Sequence, residues 1–307
     1  MPGFLVRIED LAFRYGDTHV LRGVSFDVGA GDIVGLLGRN GSGKTTLLRL
    51  LARLLRPTSG EVTLAGEGRP AVVLDRTPFL EALTAEENLR LSLRLRGVAA
   101  ADRETSAVRR LRAFGLADDR TRPVNEFSLG MRRRLALAEA FAAAPALLLL
   151  DEPTLGLDPE GRETLARELA AAAAGGTAGV LATNDARFAA RACHRVLLLH
   201  GGSIVAAGAP AALVAGLAAP TLVELETDPA PPEAEPPPGL RVVARDAASL
   251  TLATSDAPVS IERLWPWLQR GAVRLRALRI REPDLSDVFA ARTGERLEPG
   301  GGVERDR

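Results

Sequence analysis

Cysteine occurs once in the 307 residues, at Cys193, so no internal disulfide framework can form and the chain suits a reducing compartment. Net charge is also missing. Lys+Arg and Asp+Glu stand at 39 each, which removes any bulk-charge argument for nucleic acid or an anionic membrane surface. No apolar run approaches the ~18 residues that span a bilayer, so any membrane role is expected to pass through a partner. The start, MPGFLVRIED, lacks the charged, apolar and small-residue succession of a signal peptide. Aromatics are sparse: Tyr15 is the only tyrosine, and Trp265 and Trp267 are the only tryptophans. Lysine is scarcer still, with Lys44 alone among the arginines. What remains is a chain long enough to bury a full core and to hold two domains.

That single lysine lies in Gly38-Arg39-Asn40-Gly41-Ser42-Gly43-Lys44-Thr45-Thr46, which matches G-x-x-x-x-G-K-[ST]. Residues 32–37 ahead of it read as a buried strand, and residues 46–51 behind it as a helix, the setting this phosphate-binding loop requires. Glycines let main-chain N–H groups turn inward around a phosphate chain, and the helix adds the positive end of its dipole. The expected ligands are therefore the loop at Gly38, Asn40, Gly41, Ser42, Gly43 and Thr46, with Lys44 on the β- and γ-phosphates. Thr45 would offer its hydroxyl to Mg²⁺. The plainer reading is a glycine-rich turn.

A second chemical cluster sits at residues 146–154. Four leucines lead into Asp151 and Glu152, so a buried strand delivers two carboxylates at its end. Asp151 suits Mg²⁺ beside Thr45, and Glu152 suits a base that polarises water. Between the two clusters, Thr84 is placed to cap a helix with Glu86 and Glu87 in its first turn, and residues 102–114 read as an amphipathic helix with a solvated arginine face. Residues 126–131 lead into a further helix from Arg132 to Ala144, where Ser128 and Gly130 can form an anion site. Residues 4–9 and 20–28 alternate as strands. Tyr15 between them either stacks on a purine or covers a sheet edge.

The order and spacing of these motifs over residues 4 to about 210 resemble the ATP-binding subunit of an ABC transporter. The resemblance implies an α/β fold: a P-loop NTPase nucleotide-binding domain with an antiparallel β-subdomain and an α-helical subdomain. It makes residues 38–45 the Walker A loop, 147–151 the Walker B strand and Glu152 the catalytic glutamate. Tyr15 falls where the family stacks adenine, and Leu155-Gly156-Leu157-Asp158 resembles the D-loop. Phe127-Ser128-Leu129-Gly130-Met131 looks like a variant of the signature LSGGQ, keeping Ser128 and Gly130. It also implies ATP and Mg²⁺, a second nucleotide-binding subunit paired head to tail, and an integral membrane permease. Two positions depart from the pattern. Asp75 stands in place of the Q-loop glutamine, where it can still ligate Mg²⁺, and Asn184 stands where the switch histidine is expected. An Asn can donate to the γ-phosphate but carries no charge. Loss of one charge-assisted bond is worth roughly 1.5–3 kcal/mol, or ten- to a hundredfold in rate.

Beyond residue 219 the composition changes. The expected domains are 1–219 for nucleotide binding and 220–298 for a small α+β domain, with a Pro-rich connector over 228–239 and a disordered tail over 299–307. Strand patterns at 221–226, 240–243, 250–253 and 273–278 alternate with helices at 259–270 and 284–292. Pro266 would mark a break or first turn, and both tryptophans are read as core. This order is compatible with a small open sheet similar to the ferredoxin-like sandwich, with the proline segment replacing its first helix. Residues 282–289, Glu-Pro-Asp-Leu-Ser-Asp-Val-Phe, resemble the tail of ABC exporter ATPases of the daunorubicin- and bacitracin-resistance kind. The reading is thus an exporter ATPase, peripheral on the cytoplasmic face of the cell membrane. The alternative is a regulatory subunit that binds ATP, hydrolyses it slowly and pairs with a catalytic chain. A nucleic-acid role is disfavoured because there is no basic tract.

Overall fold

The computed structural model describes residues 4–65, 69–74, 77–217, 221–228, 230–232, 234–255, 257–271 and 273–297. These form two compact units, divided between Ile204 and Val205.

The first unit opens on the hairpin β1 (Val6–Tyr15) and β2 (Thr18–Val28). Both strands run further than the alternation at 4–9 and 20–28 predicts. Asp10 adopts φ +46°, and the register shifts between Ile8 and Leu11, so the period-two pattern breaks while pairing continues. Next come β3 (Ile33–Leu37) and α1 (Lys44–Leu51). Then β4 (Ser59–Leu64) joins the other side of β1, completing an antiparallel sheet of order β2-β1-β4.

After β5 (Ala71–Val73) the chain enters a helical part made of α2 (Ala85–Leu95), α3 (Ala100–Ala113) and α4 (Leu129–Ala142). Thr84 closes a capping box with Glu87, as its position predicts. Helix α4 starts three residues before Arg132 because Ser128 Oγ accepts the Met131 N–H at 3.2 Å and nucleates the turn earlier.

The chain returns through β6 (Leu147–Asp151), α5 (Pro159–Ala174), β7 (Ala178–Thr183), α6 (Ala186–Ala192), β8 (Arg195–His200) and β9 (Ser203–Gly208). These strands build a six-stranded sheet, order β5-β6-β7-β3-β8-β9, whose pairs from β5 to β8 are all parallel. Every residue of β3, β6 and β7 is buried, as parallel strands covered on both faces require. Leu47, Leu48 and Leu51 of α1 join Val34, Leu36, Leu149 and Val180 in one core. Each fully buried leucine contributes about 1.5–3 kcal/mol, so the helix bearing Lys44 is anchored by its apolar face. Register sets Leu37 beside Thr183 and Asp151 beside Ala182, so three neighbouring strands end at one level. Cys193 is buried just ahead of β8. Burial pushes its thiol up to about 12, aided by Asp32, which leaves it inert.

In the second unit α7 (Pro210–Ala215) precedes β10 (Thr221–Asp228), β11 (Arg241–Arg245), β12 (Ser249–Thr254), α8 (Ala257–Arg270), β13 (Arg274–Arg281) and α9 (Leu285–Thr293). Because α7 packs on α9, the compact unit begins before residue 219, where the composition changes. The four strands form an antiparallel sheet of order β11-β12-β10-β13, the strand order of the ferredoxin-like sandwich. The described part of the proline segment contains no helix, and arginines satisfy its carbonyls. Arg245 Nη1 donates to the oxygens of Pro231 and Pro232, and Arg263 Nη1 donates to Pro238 O at 3.0 Å.

The tryptophans separate. Trp267 joins Leu264 and Leu268 in the core, whereas Trp265 is 56% exposed, since helical positions two residues apart point about 200° apart. Pro266 lies inside α8 and does not end it: the buried residues on both sides hold the helix through the missing hydrogen bond. Asp284 caps α9 in a box with Asp287, and Arg281 donates to both Asp287 oxygens at 2.6 Å and to Glu224 at 2.8 Å. The motif at 282–289 is therefore the hinge pin of β13 and α9. The tail expected to be disordered, 299–307, lies outside the described residues.

Candidate active site

The loop between β3 and α1 closes over its own lysine. Gly43 takes φ +106°, which a side chain resists, and a Cβ on Gly38 would stand 2.3 Å from Leu199 O. Lys44 is 5% exposed, and its Nζ donates to Gly38 O at 2.7 Å and Arg39 O at 3.2 Å. The ammonium thus sits under the arch of the loop, held by carbonyls that phosphate oxygens can replace. Ser42 is buried too, and its Oγ finds no hydrogen-bond partner among the described residues. A buried orphan hydroxyl inside a loop of this geometry fits a phosphate ligand.

The end of β6 meets this loop. Thr45 Oγ1 donates to Asp151 Oδ2 at 2.8 Å, and Lys44 Nζ stands 3.6 Å from Glu152 Oε1. Glu152 Oε2 accepts the main-chain N–H of Asn184 at 3.3 Å. Burial raises the Glu152 carboxyl above its ordinary pKa, while Lys44 and the Asn184 N–H oppose that rise. Its backbone takes φ +41°, a region non-glycine residues avoid. The loop, Thr46 and Glu152 line a cleft of about 340 Å³, to which β2 adds Val20. This is the crevice beyond the carboxyl ends of parallel strands, where open α/β sheets take ligands.

Other residues singled out in the sequence stand apart from that cleft. Tyr15 ends β1, 46% exposed, with Phe13 edge-on at 4.8 Å, and is not part of the cleft lining. Ser128 and Gly130 lie at the N-terminus of α4, and they do not line it either. Leu129 between them is 78% exposed. Asp75 lies outside the described residues. No group of three or more His, Cys, Asp or Glu that could cage a metal occurs among the described residues. Mg²⁺ held by a hydroxyl, one carboxylate and substrate phosphates needs none.

Residues 21–155 match the ABC transporter family. A daunorubicin resistance ATP-binding protein of Streptomyces coeruleorubidus is 36% identical over 97% of this chain and 98% of its own length. A Nod factor export ATP-binding protein of Paraburkholderia xenovorans (strain LB400) is 36% identical over 70% of this chain and 74% of its own. The solved structure of an ATP-binding subunit of an ABC transporter superposes with TM-score 0.65 at 30% identity, covering 70% of this chain and 93% of that one. The chain belongs to the ABC transporter family, as an ATP-binding subunit of the exporter type. It binds ATP and is an ATPase.

In this ABC subunit, three consecutive arginines that the sequence reading passed over do distinct work. Helical steps of about 100° send Arg132, Arg133 and Arg134 in three directions from the start of α4. Arg132 grips both Glu81 oxygens at 2.6 and 2.7 Å, and Arg134 pairs with Asp158 at 2.6 Å, which in turn caps α5. Arg133 turns inward to the main-chain oxygens of Leu74, Asp151 and Glu152. The helix capped by Ser128 is thereby tied to the strand end bearing the acids. An arginine run at a helix start, on a step that aims one member at the sheet, is the signal that identifies them.

Proposed function

We propose that this ATPase drives a separate integral membrane permease in the export direction, by ATP-dependent closure of a dimer of nucleotide-binding subunits at the cytoplasmic membrane face. Among the described residues no helix is long and apolar enough to cross a membrane, which fits a separate permease. Relatives named for drug resistance and for Nod factor export support the direction of transport. The observation that carries the reading is the meeting of Lys44 with Glu152 and of Thr45 with Asp151 at one strand end.

In this reading the residues divide the work. Gly38, Asn40, Gly41, Ser42, Gly43 and Thr46 wrap the phosphates, and Lys44 leaves its carbonyl partners for the β- and γ-oxygens. Thr45 and Asp151, with Asp75 as a further ligand implied by the family resemblance, would hold Mg²⁺, which when bound neutralises charge on the transferred phosphoryl group. Tyr15 packs against the adenine. Ser128 and Gly130 face the γ-phosphate bound by the partner subunit, so ATP joins the two subunits and its loss releases them. Glu152 takes the proton of the attacking water; its raised pKa makes it a stronger base than an exposed carboxylate. Asn184 donates a neutral hydrogen bond to the γ-phosphate. The small second domain, 220–298 with its connector, is a separate module in which residues 282–289 lead from the last strand, β13, into α9.

The test is ATP-dependent dimerisation of Glu152→Gln, followed by light scattering, together with turnover of the wild-type protein with and without permease-containing membranes. A dimer on ATP addition and faster turnover with the permease support the proposal. Monomers at saturating ATP count against it. The slow regulatory subunit is a second reading, favoured by the substitutions at Asp75 and Asn184. Fast turnover by the isolated protein eliminates it.

A further inference from the structure

Three main-chain carbonyls converge on one buried guanidinium. Arg133 is 9% exposed; its Nη2 donates to Asp151 O and, at 2.6 Å, to Glu152 O, while its Nη1 donates to Leu74 O at 3.2 Å. Leu74 follows β5, Asp151 ends β6 and Glu152 follows it, so the side chain clasps the ends of adjacent parallel strands. One of the clasped residues is strained. Glu152 sits at φ +41°, a conformation that persists only where its surroundings over-determine it. Its N–H donates to Ala182 O at 2.8 Å and its carbonyl accepts from Arg133, so the peptide groups on both sides of that backbone angle are pinned. A planar fork suits this task better than a lysine, because it presents several fixed donors to carbonyls in different directions.

We propose that Arg133 is a positioning residue for hydrolysis: it holds the Glu152 backbone in the conformation that aims the carboxylate at Lys44, and ties that aim to the seating of α4. The inference rests on the role given to Glu152 above. Because Ser128 caps α4, a shift of the helix at its N-terminus acts on the guanidinium five residues further on, and through it on the Glu152 carbonyl. In the proposed dimer, Ser128 meets the partner's nucleotide while Glu152 serves its own. Arg133 is then the physical link by which occupation of one site bears on the geometry of the other.

The experiment compares Arg133→Met, Arg133→Lys and the wild-type protein by titration with a fluorescent ATP analogue and by steady-state turnover. Arg133→Met is expected to bind one nucleotide per subunit with affinity and KM within about twofold of wild type. Its kcat is expected to fall roughly ten- to a hundredfold, the loss of a charge-assisted hydrogen bond acting on the catalytic step. Arg133→Lys keeps the charge without the fork and recovers part of kcat. A kcat for Arg133→Met within about twofold of wild type overturns the proposal. So does a loss of binding stoichiometry in parallel with kcat, which a merely structural arginine produces. Should Arg133→Met not fold, Arg133→Lys decides: lowered kcat at unchanged KM supports positioning, and unchanged kcat refutes it. Failure of the underlying reading looks different, since the wild type then takes up no ATP or Glu152→Gln leaves kcat intact.

Discussion

Replacing Asn184 with histidine perturbs a single hydrogen-bond donor at the end of β7 and leaves its scaffold in place. Thr183 lies in register with Leu37, so residue 184 stands level with the first glycine of the phosphate loop. Its main-chain N–H goes to Glu152 at 3.3 Å, and any residue there keeps that bond. What changes is the side chain. A neutral amide donor contributes roughly 0.5–1.5 kcal/mol, and an imidazolium facing a phosphate roughly 1.5–3 kcal/mol. The difference of about 1–1.5 kcal/mol corresponds to roughly a five- to tenfold rise in kcat. The gain has a pH signature because it requires the protonated ring. It is full below the imidazole pKa and is lost as pH rises through it, whereas the wild-type protein lacks that transition. Phosphate release measured at saturating Mg-ATP between pH 6 and 9 checks both parts. A variant no faster than wild type, or a gain that does not depend on pH, refutes the assignment of residue 184 to the γ-phosphate.

Lys44→Ala is expected to abolish ATP uptake in equilibrium binding, since the chain's only lysine is the cation under the loop; undiminished uptake refutes the site. Glu152→Gln is expected to raise Tm at pH 7. Burial lifts the folded-state pKa above its unfolded value, so ionising Glu152 costs stability as pH rises through the unfolded value toward the folded one, and that cost stays above it. The difference from wild type should vanish toward pH 4 and below, and a lower Tm for the variant at pH 7 contradicts the argument. Asp287→Ala removes an acid that is 5% exposed and accepts two bonds from Arg281 and the Asp284 N–H. Breaking a buried pair costs about 3–5 kcal/mol; Arg281 keeps Glu224, so a loss near 3 kcal/mol is expected in urea unfolding of the second unit, and no measurable loss refutes the pin.

What the sequence made legible was whatever is local or periodic. The phosphate loop is nine contiguous residues, and its strand and helix are short apolar runs on either side. The buried strand ending in Asp151 and Glu152 announces itself by four leucines. Even the strand order of the second unit follows from its element order once the proline segment is taken as a connector. The misses share a cause, which is geometry set by distant neighbours. Alternation stops at residue 9 because a bulge at Asp10 absorbs one position, yet β1 continues to Tyr15. Pro266 looks like a break until Trp267 and Leu268 are seen to pin the helix from below. Trp265 and Trp267 look alike as letters, but two helical steps, about 200°, put one in the core and the other in solvent.

The arginine run after the signature is the instructive case. Charge runs are usually a solvated face, and for Arg132 and Arg134, each paired with a half-exposed acid, that reading loses little. Arg133 differs only in direction. Three successive positions on a helix fan out over about 200°, and in this helix, packed on a sheet, the middle one is sent inward, where a buried guanidinium must find acceptors. At the end of a parallel sheet the acceptors available are the last carbonyls of the strands, which here belong to the residues that bear the acids. The same inward direction that makes Arg133 invisible to composition puts it where the site is built. An arginine triplet opening a sheet-packed helix is in this way a testable pointer to the strand end it braces.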